Sequence, residues 1–114
     1  MANTFKRATK SSLSTADVTS SSATNILTAT GANTLIIIGM VTANKTSTSA
    51  QVTLYLFSAS GDSTFLVKSA PVPAGSSLEY VYGSKLVVGT GDVIRASSNT
   101  SASLDITISY LEQS

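Results

Sequence analysis

The sequence predicts an all-β fold, an antiparallel β-sandwich or jelly roll of seven to eight strands with an extended N-terminal arm. Three observations carry that prediction. Short apolar segments recur at roughly ten-residue spacing, with turn residues between them. No stretch of the 114 residues sustains a helical period. Ser (21) and Thr (16) together make up about a third of the chain, and these residues suit pleated surfaces and tight turns. The length is that of one domain.

Residues 1–22 form a polar lead holding Lys6, Arg7 and Lys10, three of the seven basic residues, and a Ser/Thr-rich stretch over residues 9–22. A segment this poor in large apolar groups cannot order itself alone. It is therefore expected to be an arm over about the first dozen residues, mobile in isolation or ordered against a neighbour. Residues 23–114 form the sandwich domain.

Within that domain, residues 25–28 make a short first strand, ended by Gly31-Ala32-Asn33. Residues 34–42 are continuously apolar around Ile36, Ile37 and Ile38, a pattern that predicts burial on both faces. A polar loop over 43–50 leads to residues 51–58. There Val52, Leu54 and Leu56 alternate with Gln51, Thr53 and Tyr55. After a turn at 60–62, residues 64–69 form a strand with Phe65 and Val67 inward. Pro71 and Pro73 each remove a ladder donor, so 71–75 reads as an extended connection ending in a turn. Leu78, Tyr80 and Tyr82 share one face of the next strand. Gly83-Ser84 turns the chain into 85–88, and 89–92 turns it again into 93–97. The last strand, 103–111, sets Leu104, Ile106, Ile108 and Tyr110 against Asp105, Thr107 and Ser109.

Composition excludes much chemistry. The chain has no Cys, no His and no Trp. That removes disulfides, thiolate or imidazole metal sites, a Ser–His relay and any group that titrates naturally near neutrality. A net charge of +1 is too balanced to predict nucleic-acid binding. The longest apolar run, 35–41, falls far short of the ~20 residues of a spanning helix, and no signal-peptide pattern follows the basic N-terminus. No membrane association is expected, and synthesis in the cytoplasm is.

The remaining candidate sites are weak as chemistry. Asp62 and Asp92 each follow a Gly in a turn, where an Asx side chain accepts from backbone donors. Nothing in the sequence brings any two carboxylates together for glycosidase chemistry. Gly89-Thr90-Gly91-Asp92 lacks the Asp-x-Asp spacing of a calcium loop and precedes a strand rather than a phosphate-binding helix. Asn44-Lys45-Thr46 and Asn99-Thr100-Ser101 match the glycosylation pattern, which carries weight only in a secreted chain. No catalytic residue, metal or cofactor is expected. Four tyrosines, Tyr55, Tyr80, Tyr82 and Tyr110, could stack against sugars or bases, or pack in the core and interfaces. Tyr55 and Phe57 lie opposite Val52 and Leu54, and that face is a candidate subunit contact where the monomer leaves it uncovered.

The arm offers the clearest interaction feature. Phe5 is an apolar anchor beside the cations Lys6 and Arg7, with Lys10 nearby. Residues 1–10 carry +3 and residues 11–114 carry −2. A basic arm on a mildly acidic body can grip an acidic surface on a neighbour, although the same residues also suit a solubilising tail.

Four segments, in order, carry a family resemblance. They are Met1-Ala2-Asn3-Thr4-Phe5-Lys6, the stretch Phe65-Leu66-Val67-Lys68-Ser69-Ala70-Pro71-Val72-Pro73-Ala74-Gly75-Ser76-Ser77-Leu78, then Lys85-Leu86-Val87-Val88-Gly89-Thr90-Gly91-Asp92, and Ile108-Ser109-Tyr110-Leu111-Glu112. Together the chain resembles small virion structural proteins of tailed bacteriophages, notably cyanophages. The resemblance implies a non-enzymatic sandwich located in the virion. It would be a capsid decoration (cement) protein whose partners are the major capsid protein or other virion proteins. It also implies a homo-oligomer, with a trimer the favoured state. A neck, tail or fibre-attachment subunit is the nearest alternative. A reading from another class is a carbohydrate-binding sandwich that recognises a host surface through Tyr80 and Tyr82.

Overall fold

A computed structural model describes residues 3–31, 33–59, 61–80 and 86–113. Among the described residues there are nine strands and no helix. The strands are β1 (Asn3–Lys10), β2 (Asn25–Thr28), β3 (Thr34–Asn44), β4 (Ala50–Phe57), β5 (Thr64–Val72), β6 (Ser77–Tyr80), β7 (Leu86–Val88), β8 (Val93–Ser98) and β9 (Leu104–Gln113). They form two antiparallel sheets, an arrangement compatible with a sandwich. The first sheet runs β1-β9-β3-β6, with β7 also on β3, and the second runs β2-β8-β4-β5. The pairing is nested: β1 with β9, β2 with β8, β3 with β6 and β7, and β4 with β5.

Period-2 alternation builds the core. Leu35, Ile37 and Met40 of β3 and Ile106 and Ile108 of β9 join Val52 and Leu54 of β4 and Ile94 and Ala96 of β8 in one buried cluster. Each strand turns its other face outward, where a two-layer domain has no third layer to cover it. Residues 34–42 therefore bury one face, not both. Ile36 is only half-buried and Ile38 is exposed.

Two bulges change which residues face out. On β3 the pairing with β9 slips between Ile37 and Gly39, so Ile38 is the extra residue and inward positions pass from odd to even numbers. On β5 the register slips so that Val67 pairs with Leu54 but Phe65 pairs with Tyr55. Phe65 thus lies beside Tyr55 on the outer face, 42% exposed, instead of inward beside Val67. Strand β5 also continues through Pro71 and Val72. Proline is tolerated there because β5 is the outermost strand of its sheet. The turn follows immediately, with Ser76 donating from its backbone and side chain to the Pro73 carbonyl and Gly75 taking φ +68°.

The lead differs most from expectation. Where the sequence predicts a separate arm, residues 3–10 lie as an edge strand along β9, paired from Asn3–Gln113 to Lys10–Ile106. Backbone hydrogen bonds and one ion pair, Lys6 Nζ to Glu112 Oε1 at 2.8 Å, take the place of apolar burial. Beyond β1, the Asp105 carboxylate accepts from the Ser12 N–H at 2.8 Å, and the Leu13 N–H donates to the Leu104 carbonyl. Leu13 is fully buried in the core. Val18 is buried too, but outside the main cluster, beside the second sheet.

Candidate interaction surface

Of the predicted interaction residues, Phe5 and Arg7 lie on the outer face of the first sheet and Tyr55 and Phe57 on that of the second, whereas Lys6 and Lys10 lie on the core side of β1; the two outer faces are built differently. On the first sheet, Phe5 pairs with Leu111, Leu111 with Ile36, and Ile36 with Val87. Four apolar side chains from four strands therefore stand in one row across the face. Phe5 is 77% exposed and Val87 59%. The bulge adds Ile38 beside the row. In the next row Arg7 and Gly39 both pair with Ser109. The small Ser109 floors a hollow of about 380 Å³ walled by Phe5, Arg7 and Ile38.

Charge is concentrated at the β1 edge. Among the described residues, ion pairs join Lys6 to Glu112 and Lys45 to Asp105, and neither Arg7 nor Lys10 takes part in one. The hydrogen bond to Glu112 raises the Lys6 pKa above its ordinary value. Lys6 is thus engaged within the chain, while Arg7 and Lys10 face solvent.

On the second sheet the aromatic groups are held by the protein itself. Tyr55 meets Phe65 edge to face, with centroids 5.0 Å apart and planes at 61°. The Lys68 ammonium lies 5.0 Å from the Phe65 ring centre, and the Arg95 guanidinium 4.5 Å from that of Phe57. Arg95 also donates to Asn25 Oδ1 and to the Val18 carbonyl, which ties the lead to this face. Tyr55 and Phe57 are consequently half-buried within the monomer. Between the lead and β4, β5 and β8 lies a hollow of about 450 Å³, with Asp17, Thr19, Gln51, Phe65, Lys68 and Asn99 in its wall.

The remaining tyrosines do not assemble into the expected platform. Tyr110 is buried in the core. The backbone of Tyr80 pairs with that of Met40, and Tyr82 lies outside the described residues.

The acidic residues hold local structure. Asp92 accepts from the Gly89 and Ala59 N–H groups, which closes the 89–92 turn around Gly91 at φ +88°. Asp17 accepts from the Thr19 backbone and hydroxyl, and the backbone bond holds its pKa below the usual carboxylate value. The Ser12 N–H, followed by Lys45, does the same for Asp105. Among the described residues, no three His, Cys, Asp or Glu side chains are placed to hold a metal ion. Asn44, in a glycosylation-like triplet, is buried. It donates to the Thr48 and Val72 carbonyls and accepts from Thr46, so it organises the 45–49 loop.

Sequence reasoning missed the apolar row because its members come from four distant segments. The continuous run at 35–38 was the available signal. In a domain too small for a third layer, half of such a run must face out.

No protein-family model, curated protein or solved structure matches the chain.

Proposed function

We propose that the chain is a non-enzymatic structural protein of a phage virion, a capsid decoration (cement) protein that binds the head surface through its sandwich and its N-terminal strand. The observation that carries a surface-borne role is the exposed apolar row from Phe5 to Val87, with Arg7, in no ion pair among the described residues, one row beyond it on the same face. An exposed row of this kind favours a protein partner, here the major capsid protein, another virion protein or further copies of the chain. The virion setting rests on the four resembling segments.

The strand order supports the same reading. Counting β6 and β7, which follow each other along β3, as one strand gives 1-9-3-6 facing 2-8-4-5 with nested pairs. That order is compatible with a jelly roll, an architecture shared by viral capsid and lectin domains. The predicted arm becomes the outermost strand of this sandwich. Among the described residues no strand pairs with its far side, so an acidic partner strand could extend the sheet there.

A second reading, a carbohydrate-binding module, is favoured by the hollow on the second sheet, where amide, hydroxyl and charged groups surround Phe65. It predicts retardation on polysaccharide that Phe65→Ala abolishes.

Co-sedimentation with particles lacking the protein tests the first reading. Deleting residues 2–10 should reduce binding. The double variant Arg7→Glu/Lys10→Glu, which retains the strand, should reduce it most at low salt, where screening is weakest. Unchanged occupancy for both variants would remove strand β1 from the contact.

A further inference from the structure

We infer that the outer face of the first sheet is a self-complementary contact for a second copy of this chain, related by a two-fold axis lying between the faces and parallel to the strands. The inference deepens the proposed structural role, whose setting it shares, but the contact stands on its own geometry.

Such an axis turns one face onto the other and exchanges the β1 side with the β7 side at the same height along the strands. Phe5 of one copy then lies against Val87 of the other, and the central pair Leu111 and Ile36 lies against Ile36 and Leu111. These four residues already stand in one register row, so the match requires no slip. The bulge residue Ile38, 43% exposed on β3, passes over the second copy's β9 beside Ser109. Ser109 is the floor of the shallow hollow, so the protruding side chain meets a depression at that place.

Charge is complementary under the same operation. Arg7 stands on β1 one row beyond Phe5, and Glu79 stands on β6, paired with Val41, one further row along. The exchange brings each Arg7 to within one row, about 7 Å along the strand, of the second copy's Glu79. An arginine side chain spans that distance, and the symmetry makes the pair twice. The area is sufficient as well. Four strands about 4.8 Å apart and about eight residues long present roughly 500 Å². Two such faces bury roughly 1,000 Å², the lower bound for a specific interface.

Sedimentation equilibrium of the full chain over a concentration series tests the contact, with circular dichroism reporting the fold of every variant. The wild type should form a reversible dimer. Ile38→Asp should weaken it at least tenfold. Arg7→Glu and Glu79→Arg should each weaken it several-fold, and the two combined should restore it, a rescue that misfolding cannot mimic. A chain monomeric at millimolar concentration overturns the inference. So does an oligomer of any size, a trimer included, that is indifferent to Ile38→Asp and to the charge exchange. A dimer that behaves as described yet does not bind particles preserves the contact and removes the virion role. A monomer that binds particles does the reverse.

Discussion

The two outer faces answer to the same composition in opposite ways. The second sheet carries three rings, Tyr55, Phe57 and Phe65, and gives each a partner: Tyr55 meets Phe65 edge to face, Lys68 lies over Phe65, which stays 42% exposed, and Arg95 lies over Phe57 and holds the lead. Among the described residues, the outer face of the first sheet carries one ring and four aliphatic side chains in and beside a row, and leaves Phe5, Val87 and Ile38 in solvent. The difference teaches that aromatic content does not mark a contact surface. What would mark one is apolar area for which the described residues provide no cover.

The comparison can be broken outright from the core that both faces share. Leu54→Ala, at a fully buried site, should cost about 2–5 kcal/mol in chemical denaturation. Asn44→Ala should cost about 2 kcal/mol, because it strands the Thr48 and Val72 carbonyls and frees the 45–49 loop. It leaves both outer faces chemically unchanged.

The faces themselves should then separate. Arg95→Ala should destabilise the monomer by about 1 kcal/mol, through the loss of its stacking on Phe57 and its bonds to Asn25 and Val18. Phe5→Ser should leave monomer stability within about 0.5 kcal/mol, since that ring buries little of itself in the chain. Equal losses for the two variants would erase the contrast between the faces.

Acid adds a finer distinction. Asp105 and Asp17 both have carboxyl groups held below their ordinary pKa by backbone donors in the lead. A folded-state value below the unfolded one stabilises the fold above the unfolded pKa, and that contribution is lost as pH falls through the folded value. Denaturation followed below about pH 4 should therefore show a pH slope that Asp105→Asn reduces. Both carboxylates are solvent-exposed, so the effect is small. The smallest change should be favourable. Thr42 Oγ1 is buried with no hydrogen-bond partner among the described residues, and Thr42→Val should raise stability by about 0.5–1 kcal/mol.

Much of this architecture is legible in the sequence because it is local. The alternation in β4 and β9 and the turn at 89–92 follow from residue period and turn chemistry. What is not legible is non-local. Strand β1 has almost no apolar content, and its place depends on a partner about a hundred residues away whose backbone completes the ladder. The bulges at Ile38 and Leu66 reverse facing by one residue, which no local pattern announces. The apolar row needs the register of four strands at once. Phe5 is legible as an anchor, whereas Ile36, Val87 and Leu111 become its neighbours only through pairing.

The most direct test of the account is location. Antibody or gold labelling of the protein on intact particles should decorate the head surface at regular sites, and Arg7→Glu/Lys10→Glu particles should lose label. Label confined to the tail, or absent from particles altogether, would contradict the decoration role.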